Sequence, residues 1–280
     1  MKSQRAVISC GSKLIVVFLI LFISLKTFGQ DVELKKTSKF KQTITAFSPG
    51  EMLKYEVSWM GIIAGKSQMV VGESEKLRDV DVWPLRSSAE TSGLVKKLYK
   101  IDNKTVSFLD PTFCYPVRFE VDQYTGGRKE KIELNFFQKK RLIEWSRSYK
   151  GKQSSGTSDI TRGVQDSLSS IYYLRNQDLQ VGHEIKIPIF ASRKKWMLQA
   201  DIVQTEKIVV PAGTFQTLKV KPIMLPESEG KPKGTMTLWL TNDARHIPVQ
   251  ISSEVAVGSV IMKMVSMKIK SEKSKNGDDE

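Results

Sequence analysis

The chain is poor in the residues that most often carry chemistry. Its 280 residues include two cysteines, Cys10 and Cys114, and two histidines, His183 and His246. Neither histidine has a second histidine or a cysteine at ligand spacing, so no metal ligand is assigned. The sequence contains no G-x-S-x-G elbow, the strand-to-helix turn that marks many serine hydrolases. A Ser-His-Asp set can assemble from distant positions, so spacing alone leaves that arrangement open. No motif assigns a catalytic residue or a cofactor. Long apolar runs are scarce as well, and the chain has one, over residues 14–25.

That run decides the compartment. Lys2, Arg5 and Lys13 precede it, and Thr27, Phe28 and Gly29 follow. A basic head, a short apolar run and a small-residue exit describe a secretory signal peptide, here over residues 1–29. A membrane anchor needs roughly 20 apolar residues, and this run is shorter. Cys10 lies before the run, whereas a lipoprotein cysteine follows it, so lipidation is not expected. The expectation is an exported protein of the periplasm or cell envelope, soluble after cleavage. Cys114 is then the one thiol left. It has no partner for an internal disulfide, even in an oxidising compartment, and reads as a small core residue.

Charge narrows the partners. The chain carries 44 Lys and Arg against 30 Asp and Glu, a formal +14. Residues 1–29 hold four of those cations (Lys2, Arg5, Lys13, Lys26) and no acid, so +14 becomes +10 without them. Outside the cytoplasm a basic protein meets lipid head groups and acidic glycans rather than nucleic acid. Solubility alone accounts for the charge equally well.

Beyond a polar, basic leader at 30–48, the dominant signal has a period of two. Leu53, Tyr55, Val57 and Trp59 alternate with polar residues, as do Val117, Phe119 and Val121, then Ile132, Leu134 and Phe136. Leu198, Ala200 and Ile202, and Met236, Leu238 and Leu240, repeat the pattern. Such alternation places one face of each strand on a core and the other in water, as in antiparallel sheets. One segment departs from it. Val164, Leu168, Ile171 and Tyr172 have the i, i+4, i+7, i+8 spacing of a helix face. The expected fold is mainly β. It is a large curved antiparallel sheet or half-barrel, with one intervening helix packed on its concave face. A single β-rich domain spans 49–270, and 271–280 form a disordered polar tail.

Four segments carry a family resemblance. Gly50 to Tyr55 with Trp59 to Gly65 come first, then Asp166 to Leu168 continuing through Tyr172 to Arg175. The Pro211-Ala212-Gly213-Thr214-Phe215 hairpin follows, and then Leu238 to Asp243 leading to Pro248 and Val249. In that order they resemble an exported bacterial family, domain of unknown function 3108. The resemblance implies a curved sheet similar to the periplasmic lipoprotein carriers of the LolA and LolB type, whose half-barrel and helices enclose acyl chains. It implies no activity, since fold does not establish function.

The candidate ligand-binding residues follow from position. Tyr55, Trp59, Phe119 and Phe136 fall on inward positions of different strands, where they line a lipid cavity or simply build a core. Trp239 is out of phase with Met236, Leu238 and Leu240, so it faces outward or into a groove. Asp243 and Arg245 share a strand-to-strand turn. They hold a head group at a cavity mouth, or Asp243 only bonds its own backbone. Arg175 binds a phosphate or glycan, or answers the helix dipole. The functional expectation is a non-enzymatic binding protein for a lipid or another anionic envelope component. The alternative is a scaffold that binds envelope proteins or glycans.

Overall fold

The computed structural model describes residues 43–227, 236–255 and 257–269. Residues 1–29, expected as a signal peptide, residues 30–42 of the leader, residues 228–235 and 256, and residues 270–280, expected as the end of the domain and a polar tail, lie outside the described residues.

Fifteen strands follow in chain order. They are β1 (Met52–Trp59), β2 (Ile62–Val71), β3 (Glu75–Leu77), β4 (Val80–Thr91), β5 (Ile101–Asp110), β6 (Tyr115–Thr125), β7 (Arg128–Phe137) and β8 (Leu142–Tyr149). The rest are β9 (Lys152–Asp159), β10 (Glu184–Ala191), β11 (Lys194–Val210), β12 (Gly213–Pro226), β13 (Met236–Thr241), β14 (Pro248–Glu254) and β15 (Ser259–Lys268). Helix α1 (Gly93–Leu98) joins β4 to β5, and α2 (Ser169–Arg175) lies between β9 and β10.

Every neighbour in the ladder is antiparallel, in the order β10-β11-β12-β13-β14-β15-β1-β2-β4-β5-β6-β7-β8-β9, with β3 attached to β4. The chain therefore begins in the middle of its own sheet, and β15 returns to pair with β1, Tyr55 lying opposite Met264. Register shifts interrupt β1, β5, β11 and β13. Such bulges bend a strand and increase its twist, which is how a sheet this wide curls instead of lying flat. It is the half-barrel expected, and its two edges, β9 and β10, are not joined by a ladder.

The segment between those edges closes part of the seam. Ile160 N–H donates to Arg141 O at 3.0 Å, and Gln165 forms a parallel bridge with Ile189. The Gln165 side chain donates to Cys114 O, and Gln138 donates to Val164 O and accepts from Gly163 N–H. This backbone pairing fixes residue 165 in an extended conformation, so the helix starts five residues later than the spacing from Val164 predicts. Val164 and Leu168 are buried all the same. Asp166 caps the helix instead. Its Oδ1 accepts the N–H groups of Leu168 and Ser169 at 2.7 and 2.8 Å, while Ser169 Oγ accepts the Asp166 N–H. Two of the orphan donors of the first turn are satisfied in this way.

Helix α2 lies on the concave face and divides the core in two. Tyr172 belongs to a core cluster that includes Leu53, Tyr55, Met69, Leu85, Leu109, Phe119, Phe136 and Ile143. Leu174 belongs to a second cluster, with Ile187, Trp196, Ile202, Leu218, Val220 and Leu240. Each such side chain contributes about 1.5–3 kcal/mol when removed from water. A second short helix, α1, was not foreshadowed by the pattern, and none of its residues is buried.

Candidate functional site

The predicted site residues separate into three places. Tyr55, Phe119 and Phe136 belong to the first core cluster and are at most 5% exposed. Side chains this closed to water touch other side chains on all sides, so the inner face of β1 and the adjoining ends of β6 and β7 is filled. Trp59 sits at the end of β1, half-buried, and its indole donates to Val257 O. Trp239 projects from β13 on the face opposite Leu238 and Leu240, where its indole donates to Glu206 and the Lys219 ammonium lies over its ring. The indole hydrogen bond is the main cause holding the Glu206 carboxyl below the usual carboxylate range.

Tyr55, Arg175, Asp243 and Arg245, distant in sequence, meet at the end of α2. Arg175 is fully buried and makes a bidentate pair with Glu51, Nη1 to Oε1 at 2.7 Å and Nη2 to Oε2 at 2.8 Å. It also donates to Ala46 O and Arg245 O. Its guanidinium carbon lies 5.5 Å from the centre of the Phe47 ring and 5.2 Å from that of Tyr172. Burial pulls the guanidinium pKa down, but the hydrogen bonds and charge of Glu51 more than offset this and leave it raised. The neighbouring turn docks on the same residue. Asp243 accepts from Thr241 Oγ1, Arg245 N–H and the Arg245 guanidinium, while His246 Nδ1 lies 2.7 Å from Arg175 O. Tyr55 Oη donates to Pro248 O just beyond.

Sequence reasoning missed the partners that close this network. Glu51 stands in the quoted Gly50-Glu51-Met52 segment, but nothing local marks it as the counter-ion of a residue 124 positions away. Phe47 and Ala46, at the end of the leader, are core residues. Phe47 stands edge-on to Tyr172 at 4.8 Å, and Asn176 fastens the Thr45 and Ala46 amides through its Oδ1.

The third place lies where the concave face runs past the filled core. Along β7, Phe136 and Leu134 are buried, but Ile132 and Glu130 on the same face are partly open. On β8, Ile143 is buried, whereas Trp145, Arg147 and Tyr149 are partly open. Trp145 lies opposite Leu134 on one side and Gly156 on the other. A Cβ at Gly156 would lie 2.7 Å from the Trp145 ring, so glycine lets the indole lie flat across β9. Arg193, from the β10–β11 turn on the far edge of the sheet, reaches across the seam to within 5.2 Å of the same ring.

Beside this apolar patch the inner face turns polar. Gln123 Nε2 donates to Glu130 Oε2 at 2.9 Å, Arg147 donates to Glu130 Oε1, and Thr125 Oγ1 donates to Asn103 Oδ1. The arrangement offers an aromatic and aliphatic wall beside hydrogen-bonding groups already held by one another. Among the described residues no group of three His, Cys, Asp or Glu side chains stands close enough to share a metal ion. The signal for this face was the period-two run Ile143, Trp145, Arg147, Tyr149, legible in the sequence yet beyond the strands used to nominate residues.

These features define a class, an open antiparallel half-barrel whose concave face is part core and part accessible lining. The chain belongs to the family described as protein of unknown function DUF3108, whose model matches residues 54–265. It is similar to a crystallised β-barrel-like protein of the family DUF1849 from Brucella abortus, with 12% identity, a TM-score of 0.55, and coverage of 81% of this chain and 100% of that one. That likeness shows the fold alone. A protein from Bacteroides fragilis, described as exported with a YmcC-like fold, matches at 11% identity and a TM-score of 0.31, covering 81% and 99%. One from Parabacteroides distasonis, described as a lipoprotein, matches at 12% and 0.32, with the same coverage. No curated protein matches the chain. No described helix is long and apolar enough to cross a membrane.

Proposed function

We propose that this chain is a non-enzymatic envelope protein that binds an amphiphilic ligand such as a lipid against the inner face of β6–β8. The observation that carries this reading is the change along β7 and β8 from buried Leu134, Phe136 and Ile143 to partly open Ile132 and Trp145 on the same face. A globular core does not ordinarily end in an accessible tryptophan on its own inner face, and concave apolar walls with a few polar groups are where small ligands bind. The apolar body of the ligand lies on Ile132 and Trp145, and its polar end meets Gln123, Arg147 and, across the seam, Arg193. The net charge of +10 that remains without residues 1–29 favours an anionic head group.

Native mass spectrometry on protein recovered from the envelope, followed by solvent extraction, tests the reading. The expected result is an adduct of lipid-like mass that Trp145→Ala loses while keeping its fold by circular dichroism. An unliganded wild-type mass, or an adduct indifferent to Trp145→Ala, overturns it. A second reading rests on β9, the last strand of the sheet, whose eight residues are polar or glycine and largely exposed. Its outer edge could accept a strand from an envelope protein. A stable complex captured by cross-linkers placed on β9, in protein free of lipid, would favour that scaffold role.

A further inference from the structure

The barrel has an apolar, cation-rimmed end that neither the ligand-binding reading nor the core explains. Eleven large hydrophobic side chains of the described chain are exposed, and six of them (Met60, Ile62, Ile63, Leu94, Leu98 and Val257) belong to three neighbouring connections at this end. The β1–β2 hairpin turns through Met60 and Gly61, both at positive φ, and presents Ile62 at 65% and Ile63 at 62% exposure. On one side it meets the β14–β15 turn. Met60 N–H donates to Ser259 O, and a Cβ on Gly258 would sit 2.6 Å from the Met60 side chain. On the other side it meets the start of α1, where Ser92 N–H donates to Ala64 O. Leu94 and Leu98 then stand out from α1 at 77% and 87% exposure.

Folding does not require this arrangement. None of the six side chains is buried, so their gathering at one end points outward to a partner.

Charge says which partner. Lys96, Lys97 and Lys100 flank the two leucines. The sheet order places the β6–β7 and β8–β9 turns next in line, carrying Arg128, Lys129, Lys150 and Lys152, all exposed. Trp59, half-buried under the hairpin, has the amphipathic ring that sits at a membrane–water boundary. Apolar tips a few ångströms long, set within a collar of cations, match the surface of an anionic bilayer. The side chains enter the head-group and upper acyl region and the ammonium groups meet the phosphates.

We propose that this end of the barrel, formed by the β1–β2 hairpin, α1 and the β14–β15 turn, docks on an anionic phospholipid surface. The proposal stands independently of the inner-face binding site. A local probe tests it and is insensitive to anything the N-terminal apolar run does. An environment-sensitive fluorophore is attached at Ile62→Cys on a Cys10→Ser background, with Cys114 fully buried. The control carries the label at Val209→Cys, which is 70% exposed beside the β11–β12 turn at the opposite end.

Phosphatidylglycerol vesicles are expected to shift the emission of the probe at 62 to the blue and brighten it several-fold at low salt. Phosphatidylcholine vesicles should do neither, and the probe at 209 should stay unchanged. Lys96→Glu with Lys97→Glu should weaken the response by at least about tenfold in vesicle affinity. Three outcomes overturn the proposal: no response at 62, an equal response at 62 and 209, or a response that grows with protein concentration before any vesicle is added. The last assigns the patch to a second copy of the chain.

Discussion

Arg175 and Glu51 are held apart from water by Phe47, Tyr172 and the 245–248 turn, and they hold those elements in return. Losing one partner leaves the other as an uncompensated buried charge. Glu51→Ala is therefore expected to cost about 3–5 kcal/mol in urea denaturation. Glu51→Leu combined with Arg175→Met should cost less than the sum of the two single changes, because no charge is stranded. Asp166 makes a different prediction. Burial raises its carboxyl from 3.8 to about 6, and the hydrogen bonds from Ser107, Ser169 and Leu168 only partly counter it. A raised folded-state pKa means that the native protein holds a proton the unfolded chain has released. The associated stability is complete below pH 3.8 and is lost as pH rises through about 6. The loss is on the order of 3 kcal/mol. Asp166→Asn keeps an acceptor for the two N–H groups, and it should flatten the pH dependence of the urea midpoint between pH 4 and 6. An unchanged slope would remove Asp166 as its origin. Cys114, its thiol pushed up to about 12 chiefly by burial, should resist thiol reagents until the protein unfolds.

Two contacts between elements carry predictions of their own. Gly65 lies opposite Thr91 where β2 runs tight against β4. A Cβ there would lie 2.2 Å from the carbonyl oxygen of Glu90, a backbone atom that cannot swing away. Gly65→Ala should therefore destabilise by about 1–3 kcal/mol, the usual cost of overpacking, although alanine ordinarily suits a strand no worse than glycine. The leader is tied on by Asn176, whose Oδ1 accepts from Thr45 and Ala46 and whose Nδ2 donates to Thr43 O. Asn176→Ala should raise amide exchange at Thr45 and Ala46 by about tenfold or more, while the amides of β12 and β13 keep their protection. Uniform loss of protection would mean that the arm and the sheet open as one unit.

The whole molecule is organised by the joint between its first and last strands. β15 lies between β14 and β1, so it links the two halves of the sheet. Ending the chain after residue 254 would expose the inner face beside Tyr55 and uncover two strand edges. The expected outcome is loss of the cooperative thermal transition, not a smaller stable barrel. Pairing β1 with β15 also closes a loop of roughly two hundred residues, so folding should be slow, on the scale of milliseconds to seconds. The apolar tips belong to this scale as well, since no single turn makes a docking surface. The sheet order places three of them side by side.

By itself the sequence determined the class of fold, because side chains alternate across a strand with a period of two. Leu53, Tyr55 and Val57, or Leu134 and Phe136, can bury only one face. The four family segments were equally legible, being local. The helix was legible in kind but not in extent, because Val164 satisfies a helical spacing while Gln165 is engaged by β10. Only the tertiary structure decided which inward aromatics are core and which are lining. Phe136 and Trp145 follow the same alternation, and burial separates them because α2 and the 160–168 segment cover one end of the concave face and not the other. The pairing of Glu51 with Arg175, and the gathering of Met60, Ile62, Ile63, Leu94, Leu98 and Val257, were likewise decided in three dimensions. Contacts between residues far apart in the chain depend on the order of strands in the sheet, and local pattern does not encode that order.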